Sequence, residues 1–66
     1  MKVNVSTVLN VRKAPTTEAT DGVKQLANNV EVKVEYITVR KDINGFQWAK
    51  ITAGSTSGWV VYSYLK

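Results

Sequence analysis

Apolar side chains occupy every second position near the start of the chain. Val3, Val5, Thr7, Leu9 and Val11 share one parity, and Lys2, Asn4, Ser6, Asn10 and Arg12 share the other. Period two is the spacing of a strand with one face buried. Val8 alone breaks the alternation, so the pattern predicts one half-buried strand, or two joined by a kink near Ser6-Thr7. Between Lys13 and Gly22 the periodicity stops. Pro15, the threonines around it and the closing Asp21-Gly22 predict a long, ordered but irregular loop.

The stretch from Val23 to Val34 carries two signals. Val23, Leu26, Ala27 and Val30 fit one face of a short helix, but Asn28-Asn29 suits a turn better than a helix interior. Val30, Val32 and Val34 then alternate with Glu31, Lys33 and Glu35, and β-branched residues favour strand. Two strands joined at Ala27-Asn28-Asn29 satisfy both observations. The apolar phase then switches to Ile37 and Val39, with Tyr36 at the crossover, as a bulge or a bend between sheets would produce. Arg40 to Gly45 reads as a polar loop, Phe46 to Thr52 as a fourth strand, Ala53 to Gly58 as a small-residue turn, and Trp59-Val60-Val61 as a last short strand. The expected core is Leu9, Val11, Val30, Val32, Val34, Ala49, Ile51, Val60 and Leu65.

Sixty-six residues make one domain, spanning 1–66, close to the smallest size at which an apolar core alone suffices. The chain has no cysteine and no histidine, so it lacks disulfides, thiolate and imidazole metal ligands and the usual general base. Its five carboxylates form no acid–base pattern. These absences predict a non-enzymatic module with no metal and no cofactor. The N-terminus shows no apolar run of the signal-peptide kind, and no stretch approaches the length that spans a bilayer, so no membrane role is expected. A net charge of +4 favours anionic partners, or simply solubility; the basic residues are scattered and form no arm.

The order of short motifs resembles a known family. Leu9-Asn10-Val11-Arg12 followed by Ala14-Pro15 resembles the opening of bacterial SH3-like (SH3b) domains. Trp48-Ala49-Lys50-Ile51 resembles their aromatic strand, and Gly58-Trp59-Val60 followed by Ser63-Tyr64-Leu65 resembles their closing segment. Each motif alone is weak, but together, in order, they cover the chain from Val8 to Leu65. Ala14 stands where the family usually has glycine, and Asn28-Asn29 where it often has Lys-Gly; asparagine tolerates the left-handed backbone, so the second change is mild. The resemblance implies an all-β, five-stranded, partly open SH3-like barrel with a long RT-type loop. It also implies non-catalytic binding of peptidoglycan, beside a hydrolase domain or subunit of the kind found in bacteriophage endolysins and bacterial wall hydrolases. The place of action would then be the bacterial cell wall, reached from outside the cell or on release at phage lysis.

Six residues are candidates for the ligand site: Asn10, Arg12, Phe46, Trp48, Tyr62 and Tyr64. If Ala49 and Ile51 face the core, Phe46 and Trp48 lie on the outer face, where rings can pack on a peptide or sugar; the alternative is a tryptophan covered by a loop. Tyr64 aligns with the groove tyrosine of SH3 domains, Tyr62 reaches toward the same rim, and Trp59 reads as structural. Asn10 can hold an extended peptide backbone through both donor and acceptor, and Arg12 can clamp a carboxylate; the plain alternative for both is a solvated strand face. Two other functions fit the same residues. The chain could be an oligomerising subunit that pairs with a second copy through exposed rings or a free edge, or a small basic barrel that binds nucleic acid. The last has the weaker support, since no interleaved aromatic–basic motif of the single-strand binders is present.

Overall fold

The alternation of the valines is realised as five short antiparallel strands in a computed structural model that describes all 66 residues. They are β1 (Val8–Val11), β2 (Lys24–Ala27), β3 (Lys33–Ile37), β4 (Trp48–Ala53) and β5 (Thr56–Val61), followed by a 3-10 turn over Tyr62–Tyr64. β1 pairs with β2 in one sheet, and β3-β4-β5 form a second sheet in that order. The two sheets do not close into a continuous barrel. An isolated bridge of Arg12 with Trp59 links the end of β1 to β5, and two more, Lys2 with Glu31 and Val3 with Leu65, tie the N-terminal segment to the β2–β3 connection and to the C-terminus. No α-helix forms between Asp21 and Glu35. Asn29 takes a positive φ of 70° and turns the chain out of β2, which is why the strand reading prevails over the helical one there.

The predicted kink is a bend at Ser6-Thr7, and the long loop from Lys13 to Gly22 is irregular as expected. The phase switch in β3 is a bulge. Val34 lies opposite Ile51 and Tyr36 opposite Lys50, which leaves Glu35 as the extra residue. The core gathers Val3, Leu9, Val11, Val32, Ala49, Ile51, Val60 and Leu65 between the sheets. Val30 and Val34 are only half-buried at its margin, and Val39 projects into solvent because the chain has already left β3 before it. Val3 belongs to the core through its bridge to Leu65, a long-range pairing that local periodicity does not reveal.

The last strand is longer than its composition suggests. β4 and β5 are joined by Gly54-Ser55 alone, with Ala53 opposite Thr56 and positive φ at Gly54, the arrangement of a tight two-residue hairpin. Ser57 and Gly58 are therefore strand residues. Gly58 has a steric reason to lack a side chain. A Cβ there would lie 2.6 Å from the carbonyl oxygen of Arg12 and 2.8 Å from Cγ1 of Val11, where β5 crosses the end of β1.

Candidate functional site

Trp48 sits on the face of β4 opposite to Ala49 and Ile51, but it does not meet water. The expectation of an exposed ring is corrected: Trp48 is 2% exposed. The loop between β3 and β4 folds over it. Its indole Nε1 donates to Oδ2 of Asp42 at 2.8 Å, and its backbone N–H donates to Oγ1 of Thr38 at 2.9 Å. Phe46, half-buried, meets it edge to face with ring centroids 6.3 Å apart. The same Asp42 accepts from the backbone N–H groups of Asn44 and Phe46, both at 2.9 Å. Donation from Trp48 first, and then from Phe46, holds the Asp42 carboxyl below its ordinary value. Phe46 and Trp48 thus form a small aromatic cluster within a fastened loop, with Trp48 sealed from solvent and Phe46 half-buried over it.

Arg12 is half-buried, and its guanidinium Nη1 donates to the carbonyl of Ala19 at 3.1 Å, so part of its fork braces the long loop. Its backbone is held by Trp59 through two bonds of 2.8 and 2.7 Å. Tyr62 is half-buried against the core, with its backbone N–H bonded to Gln47. Asn10 and Tyr64 are the two candidates that the fold brings together. Tyr64 is 43% exposed, and Asn10 is half-exposed with Oδ1 accepting from Nε2 of Gln25 at 3.3 Å. Both line one open groove of ≈ 490 Å³ whose remaining wall is the chain from 4 to 9.

That groove is the opening left in the barrel. At one end the N–H of Asn4 donates to the carbonyl of Tyr64 at 2.8 Å; at the other, the N–H of Arg12 donates to the carbonyl of Trp59. The odd-numbered residues turn the other way: Val3 donates to Val30, and Val5 to Oδ1 of Asn28. Since main-chain groups alternate sides along an extended chain, those of Val8 and Asn10 in β1 share the side of Arg12 and point across the gap between these two anchor points. The groove therefore offers an unpaired strand edge, a tyrosine ring, and the polar side chains of Asn4, Ser6, Thr7 and Asn10, with no charged side chain in its lining. Asn4 to Val8 were not among the candidates read from the sequence. The signal that marks them is Val8, the one residue out of phase, which is exposed and lines the groove.

The family model described as Bacterial SH3 domain matches residues 7–66. No curated protein and no solved structure matches the chain at a significant level.

Proposed function

This chain belongs to the bacterial SH3 domain family, a family of binding domains that commonly bind the cell wall, and from that membership we propose that it binds peptidoglycan through the open groove lined by Asn4 to Asn10 and Tyr64. The observation that supports this reading is the open edge of β1 at Val8 and Asn10 beside Tyr64. An extended peptide laid along that edge would gain main-chain hydrogen bonds from an added strand and apolar contact from the Tyr64 ring. The lining favours the uncharged backbone of a wall stem peptide or cross-bridge over a strongly charged ligand. A groove of this size buries less than a standard protein interface, so affinity is modest and suits a module that anchors a hydrolase to a repetitive polymer. The corresponding place of action is the bacterial cell wall.

The test is co-sedimentation of the domain with purified walls stripped of attached polymers. The domain is expected in the pellet, and Tyr64→Ala is expected to weaken retention about tenfold while leaving the fold intact, since an aromatic contact of this kind carries roughly that much. A domain that stays in the supernatant with walls from several species overturns the proposal. A second copy of this chain is another extended partner that the same edge could take. Sedimentation equilibrium separates the two readings, because a monomer at high concentration leaves the edge free for the wall.

A further inference from the structure

Six large apolar side chains stand exposed, and four of them have a place in the fold or the groove. Val8 and Tyr64 line the groove, Tyr36 leans edge to face on Trp59, and Met1 is the terminal residue, tied by its amino group to Glu31. Val39 and Ile43 are left over, 86% and 100% exposed, both in the loop between β3 and β4. That loop is firmly built. The N–H of Gly45 donates to the carbonyl of Asp42 at 2.9 Å, and that of Asp42 to the carbonyl of Phe46 at 2.8 Å. Oγ1 of Thr38 donates to the carbonyl of Arg40 at 3.3 Å. Ile43 and Asn44 are therefore the central pair of a closed β-turn, braced by the Asp42 carboxylate. Turn centres favour Gly, Pro, Asn, Asp and Ser. A β-branched aliphatic residue there gains no packing, and local choices that work against the fold gather at functional positions. Between Val39 and Ile43 stand Arg40 and Lys41, both exposed and without an ion pair, the single salt bridge of the molecule being that of the N-terminus with Glu31. Asp42, the one acid of this loop, has both carboxylate oxygens engaged by Trp48, Phe46 and Asn44. The long loop touches the turn through Nδ2 of Asn44 and Oγ1 of Thr17 at 3.4 Å, and adds one acid, Glu18. Two free cations outnumber it, in a molecule of net charge +4.

We propose that this turn is a docking tip for the surface of an anionic lipid bilayer. Ile43 and Val39 enter the boundary between headgroups and acyl chains, and Arg40 and Lys41 meet the headgroup phosphates. With two aliphatic side chains and two cations the contact is weak and reversible. A protein partner fits less well, because protein interfaces centre on aromatic or arginine anchors within a broad packed patch. A convex turn with two aliphatic side chains needs a fluid surface that moulds around it. A second copy would bring two cations against two, and nucleic acid would find no ring to stack on. No helix of the molecule is long and apolar enough to cross a membrane, but a contact on one face of a bilayer needs none. The expectation of no membrane role, drawn from the lack of a spanning stretch, therefore does not extend to it. None of Val39, Arg40, Lys41 and Ile43 lines the groove, so the tip stands independently of the groove reading.

The test is co-sedimentation of the full chain with vesicles of phosphatidylcholine alone, and of phosphatidylcholine with an equal share of phosphatidylglycerol, at low and at physiological salt. Binding to the anionic vesicles, weaker at the higher salt, and none to the neutral ones is the expected result. Ile43→Ser, Arg40→Gln and Lys41→Gln should each weaken it about fivefold with unchanged melting temperatures, since all three side chains are exposed. The chain has no cysteine, so one introduced thiol carries an environment-sensitive dye at a single place. On Ile43→Cys the dye emission should shift to the blue with anionic vesicles. On Ser55→Cys, exposed in the hairpin at the other end of β4 and about 20 Å away along the strand, it should not. No binding to anionic vesicles, equal binding to neutral ones, native binding by Ile43→Ser, or equal dye shifts at both places overturns the proposal. Self-association that Ile43→Ser abolishes, seen by sedimentation equilibrium, overturns it in favour of a second copy. Tyr64→Ala, expected to weaken wall binding, should leave vesicle binding unaltered, so a failure of the groove and a failure of the tip show separately.

Discussion

Asp42 holds its loop through a carboxylate that accepts from Trp48, Phe46 and Asn44. An indole N–H is a donor only, so burying Trp48 requires an acceptor at that point. The folded state favours the ionised acid, which places its pKa below the ordinary 3.8. The sign follows from proton uptake: the unfolded chain binds the proton at higher pH than the folded one, so acidification favours unfolding. The contribution of the carboxylate is complete above the ordinary value and disappears as pH falls through the lowered one. Melting temperatures of the native protein and Asp42→Asn, measured from neutral pH downward, are expected to differ most near neutrality and to converge in acid. A constant gap would mean that the charge is not what secures the loop. This residue was invisible as a site in the sequence, because its partners Trp48 and Phe46 reach it through the fold of the loop. For the same reason strand parity misplaced Trp48: the face away from the barrel core is solvent only where no loop covers it.

Among the elements, the turn between β2 and β3 was legible because its chemistry is local. Asn28-Asn29 supplies a left-handed residue at Asn29, and the Asn28 side chain accepts from Val5. Asn29→Ala is expected to cost about 1–2 kcal/mol in chemical denaturation, the price of a Cβ in left-handed backbone, and Asn29→Gly to cost little. Equal losses for the two would show that the Asn29 side chain, and not its backbone, matters. The bulge at Glu35 was legible too, since one extra residue shifts the apolar phase of everything after it. The start of β5 was not. Thr56, Ser57 and Gly58 have the composition of a turn, and their place in a strand comes from pairing with Ala53, Thr52 and Ile51.

At the level of the whole molecule, the two sheets meet where Arg12 bridges Trp59, and Gly58 stands beside that bridge. Gly58→Ala would drive a methyl group into the Arg12 carbonyl and the Val11 side chain. A loss of about 1–3 kcal/mol is expected, typical of an overpacked contact. For a domain of this size that lowers the melting temperature by several degrees for each kcal/mol, roughly 4–8 °C, readable by calorimetry. A variant as stable as the native protein would mean that the seam has slack. The order of family motifs made the architecture readable from the chain, and the fold brings two of the candidate residues, Asn10 and Tyr64, to one groove. What joins them is the gap in the barrel, a property of closure that no single segment encodes.

The two ends of the chain lie side by side. Lys2 and Lys66 exchange both of their main-chain hydrogen bonds, and Asn4 bonds to Tyr64 one step further in. Polypeptide attached at either end would leave from the same corner of the domain. Opposed forces on polypeptide attached at both ends would then load this antiparallel pair from its open end and part it bond by bond, as a zipper opens. Such a module would yield to force through its terminal segments, drawing Val3 and Leu65 out of the core first.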